Sequence, residues 1–173
     1  LKEQRLSVAV DGLTVSGAFD NYCLSTGLLS DYKTTSPWSV VFPHPEWEQQ
    51  VNLYAHLLRA HGHFVHALEI VALLRDWRKR EARQSSDYPQ AQVMVIKVDL
   101  WPDAAAAAFL AERVRLHEAA RTTMPEPCAP EERWSRPAKW AVVRPGVKKA
   151  LRVLPSTCTW TPCCWANAIT LSI

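Results

Sequence analysis

Hydrophobic and polar positions alternate from Arg5 to Val10, pause at Asp11-Gly12, and alternate again from Leu13 to Asp20. A period of two marks a strand with one wet face, and Asp-Gly between two such runs predicts a tight hairpin. On the second strand Leu13, Val15, Gly17 and Phe19 share one face, with Thr14, Ser16, Ala18 and Asp20 on the other. A third strand is predicted from Leu28 through Thr34, where Asp31 and Lys33 share a side and Tyr32 points away into packing.

The period then changes. Pro43-His44-Pro45 breaks the chain, and Pro45 suits the first position of a helix. Trp47, Val51, Tyr54 and Leu58 follow helical spacing until Gly62, which places Gln50 and Tyr54 on one face. Phe64 to Leu74 reads as a largely buried strand, and Val93 to Leu100 as another beyond the polar stretch Gln84 to Gln90. Pro102-Asp103 opens a helix over Ala104 to Arg121. These elements predict an α/β chain with a mixed central sheet flanked by helices, forming a core over residues 1–121. Residues 122–155 read as an irregular arm followed by a basic hairpin, Lys139 to Val143 and Val147 to Leu154. Residues 156–173 hold no charge and no usable period, and are expected to be poorly ordered.

At 173 residues, 48% hydrophobic and 21% charged, the chain can bury one real core and is not of disordered composition. No run approaches the roughly 20 apolar residues of a membrane span, and no signal peptide is visible, so a cytoplasmic protein without a membrane partner is expected. The net charge of +3 hides an asymmetry: residues 1–74 hold four Lys/Arg against seven Asp/Glu, and residues 75–173 hold sixteen against ten. An acidic half followed by a basic one suits an enzyme that binds both a cation and a polyanion. The five cysteines are odd in number and form no Cys-x-x-Cys pair, so reduced, mostly structural thiols are expected.

The chemistry concentrates in Asp20 and in Asp31-Tyr32-Lys33. Only residues at i and i+2 of a strand aim a carboxylate and an ammonium at one scissile phosphate; a helix would splay them by about 200 degrees. Taken singly, Asp20 suits turn chemistry, Asp31 an exposed acid and Lys33 a solvated base. His56, His61, His63 and His66 cluster in sequence but lack the paired spacing of a zinc site. Arg75, Arg78, Lys79, Arg80 and Arg83 form a basic run, interleaved with Asp76 and Glu81, that offers contacts to a DNA backbone. Trp77 and Trp134 are candidates for stacking on unpaired bases.

In order and spacing, Gly17, Asp20, Asp31-Tyr32-Lys33, Thr34, Thr35 and Gln50-x-x-x-Tyr54 resemble the PD-(D/E)XK nuclease superfamily, in its RecB-like and phage-exonuclease branch. The resemblance runs from about Gly17 to Tyr54, more loosely to Trp101, and implies a restriction-endonuclease-like core. It implies that Asp20, Asp31 and the backbone carbonyl of Tyr32 hold Mg²⁺ or Mn²⁺. It also implies that Lys33 orients or helps deprotonate the attacking water, with Gln50 and Tyr54 shaping the site and contacting DNA. Relatives carry a further ligand on a helix upstream of the first strand. Here Glu3 is the nearby acid, and the N-terminus looks truncated relative to the family. The function so implied is metal-dependent DNA hydrolysis, exonuclease-like and of phage or prophage type. The alternatives are an inactive truncated member that binds nucleic acid or a phage recombination partner, and a structural α/β domain.

Overall fold

The computed structural model describes residues 1–125, residue 127 and three strand segments beyond them, 139–143, 152–155 and 169–172. The chain divides into two units, Leu1–Pro125 and Glu126–Ile173. In the first, strands β1 (Lys2–Val10), β2 (Leu13–Cys23), β3 (Leu28–Thr35), β4 (Ala67–Leu74) and β5 (Val93–Val98) form one sheet in sequence order. All neighbours are antiparallel except β3 and β4, so the sheet is mixed. The helices are α1 (Pro45–Ala60), the short α2 (Lys79–Gln84) and α3 (Asp103–Ala119).

Local sequence explains the boundaries. Asp11 and Gly12 both adopt positive φ, +48° and +81°, as a two-residue hairpin turn between Val10 and Leu13 requires. Pro45 starts α1, Glu46 and Glu48 lie in its first turn, and Arg59 lies in its last, all favourable to the helix dipole. It ends where Gly62 N–H bonds Arg59 O and His63 N–H bonds Leu58 O, the paired bonds of a glycine-stopped helix.

A parallel pair needs a crossover, and α1 supplies it between β3 and β4. Its buried face (Val51, Ala55 and Leu58) packs on Phe19, Tyr22, Leu29, Leu68 and Ile70 of the sheet. The helix is also latched through Asn52, which is 1% exposed. Its Nδ2 donates to Glu48 O and Asp99 O at 3.0 Å each, and its Oδ1 accepts the Trp101 N–H at 2.7 Å. That bond set ties α1 to the link between β5 and α3, which buries a stripe of Ala106, Leu110 and Val114. Among the described residues no helix is long and apolar enough to cross a membrane.

Several expectations need correction. The strand after α1 begins at Ala67 rather than Phe64, and Phe64 is 73% exposed because the chain is still turning there. Tyr32 does point away from Asp31 and Lys33, but onto an open sheet face, and it is half exposed rather than packed. By register it neighbours Val71 and Val95 there, with Leu73 and Val93 one row on. The alternation on β2 holds only to Phe19; the next buried residue is Tyr22, so the facing shifts across Asp20 and Asn21. The paired strand is irregular at the same place, with Glu3 at φ +46° between the Lys2↔Asn21 and Gln4↔Phe19 pairs.

In the second unit, β6 (Lys139–Val143) pairs antiparallel with β7 (Arg152–Pro155), a strand shorter and later than the Val147 to Leu154 expected; the connection at Pro145-Gly146 lies outside the described residues. Its other edge pairs with β8 (Ile169–Ser172), so four residues of the segment read as poorly ordered form a strand. Lys148, Lys149, Trp134 and the cysteines after Cys23 lie outside the described residues.

Candidate active site

Strand β3 and helix α1 build the centre of the site. Asp31 and Lys33, two apart on β3, face α1, and Lys33 Nζ stands 2.8 Å from Asp31 Oδ2. Lys33 Nζ donates to Gln50 Oε1 at 2.6 Å, and Gln50 Nε2 donates to the Tyr54 hydroxyl at 2.8 Å. A polar chain therefore runs Asp31, Lys33, Gln50, Tyr54, with the last two aligned by the four-residue helical repeat. Gly17 makes room for it. A Cβ at that position would stand 2.7 Å from Tyr54 Cε1, so the ring lies directly on the β2 backbone.

Asp31 is only 3% exposed. Burial is the largest influence on its carboxyl and pushes its pKa above the ordinary carboxylate value; the Lys33 ammonium opposes this and the nearby Asp20 charge adds to it. Its Oδ2 is shut off from solvent and faces the Lys33 ammonium. Lys33 Nζ, 2.8 Å away, carries three N–H groups and serves both this oxygen and Gln50 Oε1. One ammonium balances the Asp31 charge, and burial still leaves its pKa raised.

Asp20 reaches the site from β2. The β2–β3 ladder stops at Asn21↔Ser30, and the strands separate beyond it. Across that gap Asp20 Oδ2 accepts the Tyr32 N–H at 2.7 Å. A strand residue directs its N–H and C=O to the same side, so the Tyr32 carbonyl also faces the gap. A cleft of about 530 Å³, lined by Lys2, Glu3, Asp20, Asn21 and Tyr32, opens alongside.

The structure thus brings together Asp31, Lys33, Gln50 and Tyr54, and places Asp20 at their edge. Glu3 lines the cleft with Asp20, while Asp31 does not. Among the described residues no group of three or more His, Cys, Asp or Glu side chains is gathered to hold a metal. The hard oxygen donors near the site are the carboxylates of Asp20 and Asp31 and the Tyr32 carbonyl; Asp20 Oδ2 is turned to the Tyr32 N–H and Asp31 Oδ2 to Lys33. The cation that Asp31 Oδ2 meets in this structure is the Lys33 ammonium.

The basic run lies at the C-terminal end of the parallel pair, where Arg75 N–H bonds Thr35 O at 3.0 Å. Arg75, Arg78, Lys79, Arg80 and Arg83 are all exposed. Among the described residues only Arg78 in this run has a carboxylate partner, Glu81 at 3.3 Å. The run is not a bare solvated strand end: α2 forms within it, and Tyr88 anchors it by accepting the Arg78 N–H at 3.0 Å. Trp77 is partly buried, and its Nε1 donates to Pro89 O at 2.7 Å.

The histidines do not converge. His56 meets Asp103 at 2.9 Å, His61 bonds Leu57 O, His63 rests against Tyr22, and His66 stacks on Phe64. Cys23 is free and partly exposed rather than a buried structural thiol. Its pKa is lowered to about 6, chiefly by hydrogen bonding to the Ser25 side chain and then to Thr26.

Sequence reading passed over the β3–α1 connection. Its Pro-rich run, Ser36 to Pro45, carries Trp38 and Phe42, and aromatic residues in a segment of that kind were the available signal. No protein-family model matches this chain, and no curated protein or solved structure matches it.

Proposed function

We propose that this chain is a metal-dependent nuclease of restriction-endonuclease-like fold, hydrolysing phosphodiester bonds of DNA. The observation that carries the reading is the continuous chain Asp31, Lys33, Gln50, Tyr54, built from two elements and edged by Asp20. Structural ion pairs are common, but this one combines a desolvated carboxylate, an oriented ammonium and a second acid across an open strand gap. That combination costs stability and is useful at a phosphate.

Asp20, Asp31 and the Tyr32 carbonyl are the groups that would hold Mg²⁺ or Mn²⁺. Such an ion, when bound, supplies an acidified water and neutralises phosphate charge. The protein's own part is orientation. Gln50 accepts from Lys33 and so fixes where the ammonium points, and Tyr54 in turn fixes the Gln50 amide. A held ammonium offsets negative charge developing on the phosphate without reorganising, an effect typically worth about 100- to 1,000-fold in rate. The exposed cations from Arg75 to Arg83 track the DNA backbone.

A second reading has one observation in its favour. Both carboxylates are already engaged, Asp20 by the Tyr32 amide and Asp31 by Lys33. A catalytically inactive chain that binds nucleic acid or a recombination partner would have no need to release them. The separating experiment incubates the purified chain with linear and circular DNA in Mg²⁺, Mn²⁺ or EDTA. Cation-dependent loss of the linear substrate supports the nuclease, and sparing of the circle makes it an exonuclease of phage type. DNA binding without cleavage in any cation supports the inactive binder.

A further inference from the structure

The connection from β3 to α1 is fixed at both ends to the candidate site, since β3 carries Lys33 and α1 carries Gln50. Its exposed residues are nonetheless large and apolar: Trp38 is 51% exposed, Val41 43% and Phe42 65%. Single exposed apolar residues need no explanation, but three within five positions beside a polar site do.

Beneath the connection lies a cavity of about 360 Å³ whose wall includes Phe42, His44 and Trp47. The His44 and Trp47 rings are stacked, 4.2 Å apart and 13° from parallel. Ile70, the register partner of Asp31 on the neighbouring strand β4, also lines it, together with Ile96 and Val98 of β5. That volume is at the low end of small-ligand pockets, roughly 300–1,000 Å³. It admits a planar heterocycle or two and is too small for a peptide helix.

Charge narrows the occupant further. Trp38 packs edge-on against Tyr88 at 5.7 Å, and Tyr88 is the anchor of the basic run through Arg78. Tyr88 is itself buried, so the exposed Trp38 ring stands beside the exposed cations of the run, whereas the cavity wall carries Glu48 and Asp99 with Lys97. The cations beside Trp38 are what select a polyanion that carries flat rings. In duplex DNA those rings are already stacked and paired, and only an unpaired strand presents them.

Resting on the nuclease reading, we propose that the β3–α1 connection is a stacking platform for unpaired nucleobases, with Phe42 and Trp38 its contact residues. The substrate class is then single-stranded DNA, or a duplex end frayed to expose unpaired bases. The platform positions the strand whose phosphate meets Lys33, and the basic run holds the backbone leading to it.

The test is fluorescence anisotropy of a labelled oligothymidylate and of a duplex of equal length, titrated with the whole chain in EDTA. Omitting the cation separates this question from catalysis. A chain that never cleaves can still show the platform, and one that cleaves can lack it. Stacking on one aromatic residue is worth about 10-fold in affinity by alanine substitution. Trp38→Ala and Phe42→Ala should each weaken single-strand binding by about that factor and leave duplex binding unchanged. Phe42→Trp, which keeps a π-face, should bind the single strand as the wild type does. Both aromatic side chains are at least half exposed, so circular dichroism should show the variants folded. Unchanged single-strand affinity in both alanine variants overturns the proposal, as does an equal loss on the duplex.

Discussion

Gly17→Ala tests whether the close approach of α1 to β2 builds the site. The added Cβ would lie 2.7 Å from Tyr54 Cε1, 3.0 Å from Tyr54 Cδ1 and 3.0 Å from Leu57 Cδ1. Ordinary contacts begin near 3.4 Å, so the ring must withdraw by several tenths of an ångström. It is not free to do so, because its hydroxyl accepts from Gln50. Overpacking of this kind costs about 1–3 kcal/mol, and replacing glycine returns about 0.4–1 kcal/mol through the unfolded chain where the backbone suits alanine. A net loss of about 1 kcal/mol follows, or some 2–4 °C in Tm for a protein of this size. Urea denaturation of wild type, Gly17→Ala, Tyr54→Ala and the double variant measures it. Removing the ring removes the clash, so the double variant should be more stable than the sum of the single losses predicts. Additive losses, or a Gly17→Ala variant as stable as wild type, would refute the packing argument.

Asp31→Asn should stabilise the chain while ending catalysis, because it removes a buried charge that burial disfavours. Folding holds the Asp31 pKa above 3.8, so the native state keeps its proton longer than the unfolded one. The associated stability is full below the unfolded pKa and is lost as pH rises through the folded one. The Tm advantage of the Asn variant should therefore grow as pH rises from below 3.8, and a flat difference would contradict the sign. Asn52→Ala strands the Asp99 carbonyl and the Trp101 amide and should cost about 3 kcal/mol in urea unfolding. Cys23 should alkylate with a pH midpoint of about 6, followed by peptide-resolved mass spectrometry; a midpoint at the ordinary thiol value of 9.0 would remove the Ser25 and Thr26 effect. Arg80→Ala should reduce the salt slope of single-strand binding by about 0.7 if that side chain meets one phosphate.

Much of the scaffold is local in origin and could be read from the chain. Asp11-Gly12 encodes its own turn, Pro45 and Gly62 bracket α1, and the i, i+2 parity of a strand brings Asp31 and Lys33 to one side. The four-residue repeat likewise puts Gln50 beside Tyr54. What escaped was set by partners distant in sequence. The facing of Asp20 breaks the alternation of β2 opposite the irregular Glu3 in the neighbouring strand, and alternation on β2 alone does not encode that break. Alternation also cannot say whether a face is covered, so Tyr32, Val93 and Val95 read as packed or apolar yet stand on an open side. The short α2 owes its place to Tyr88, ten residues beyond Arg78, rather than to helix propensity in a six-residue charged run.

The central claim is that Asp31 and Lys33 hydrolyse a phosphodiester bond, and Mg²⁺-dependent cleavage by wild type, Asp31→Asn and Lys33→Ala tests it most directly. The account predicts cleavage by the wild type that EDTA abolishes. It predicts none by Asp31→Asn, and a rate about 100- to 1,000-fold lower for Lys33→Ala with the fold intact. Wild-type rates in either variant, or cleavage that persists in EDTA, would contradict it.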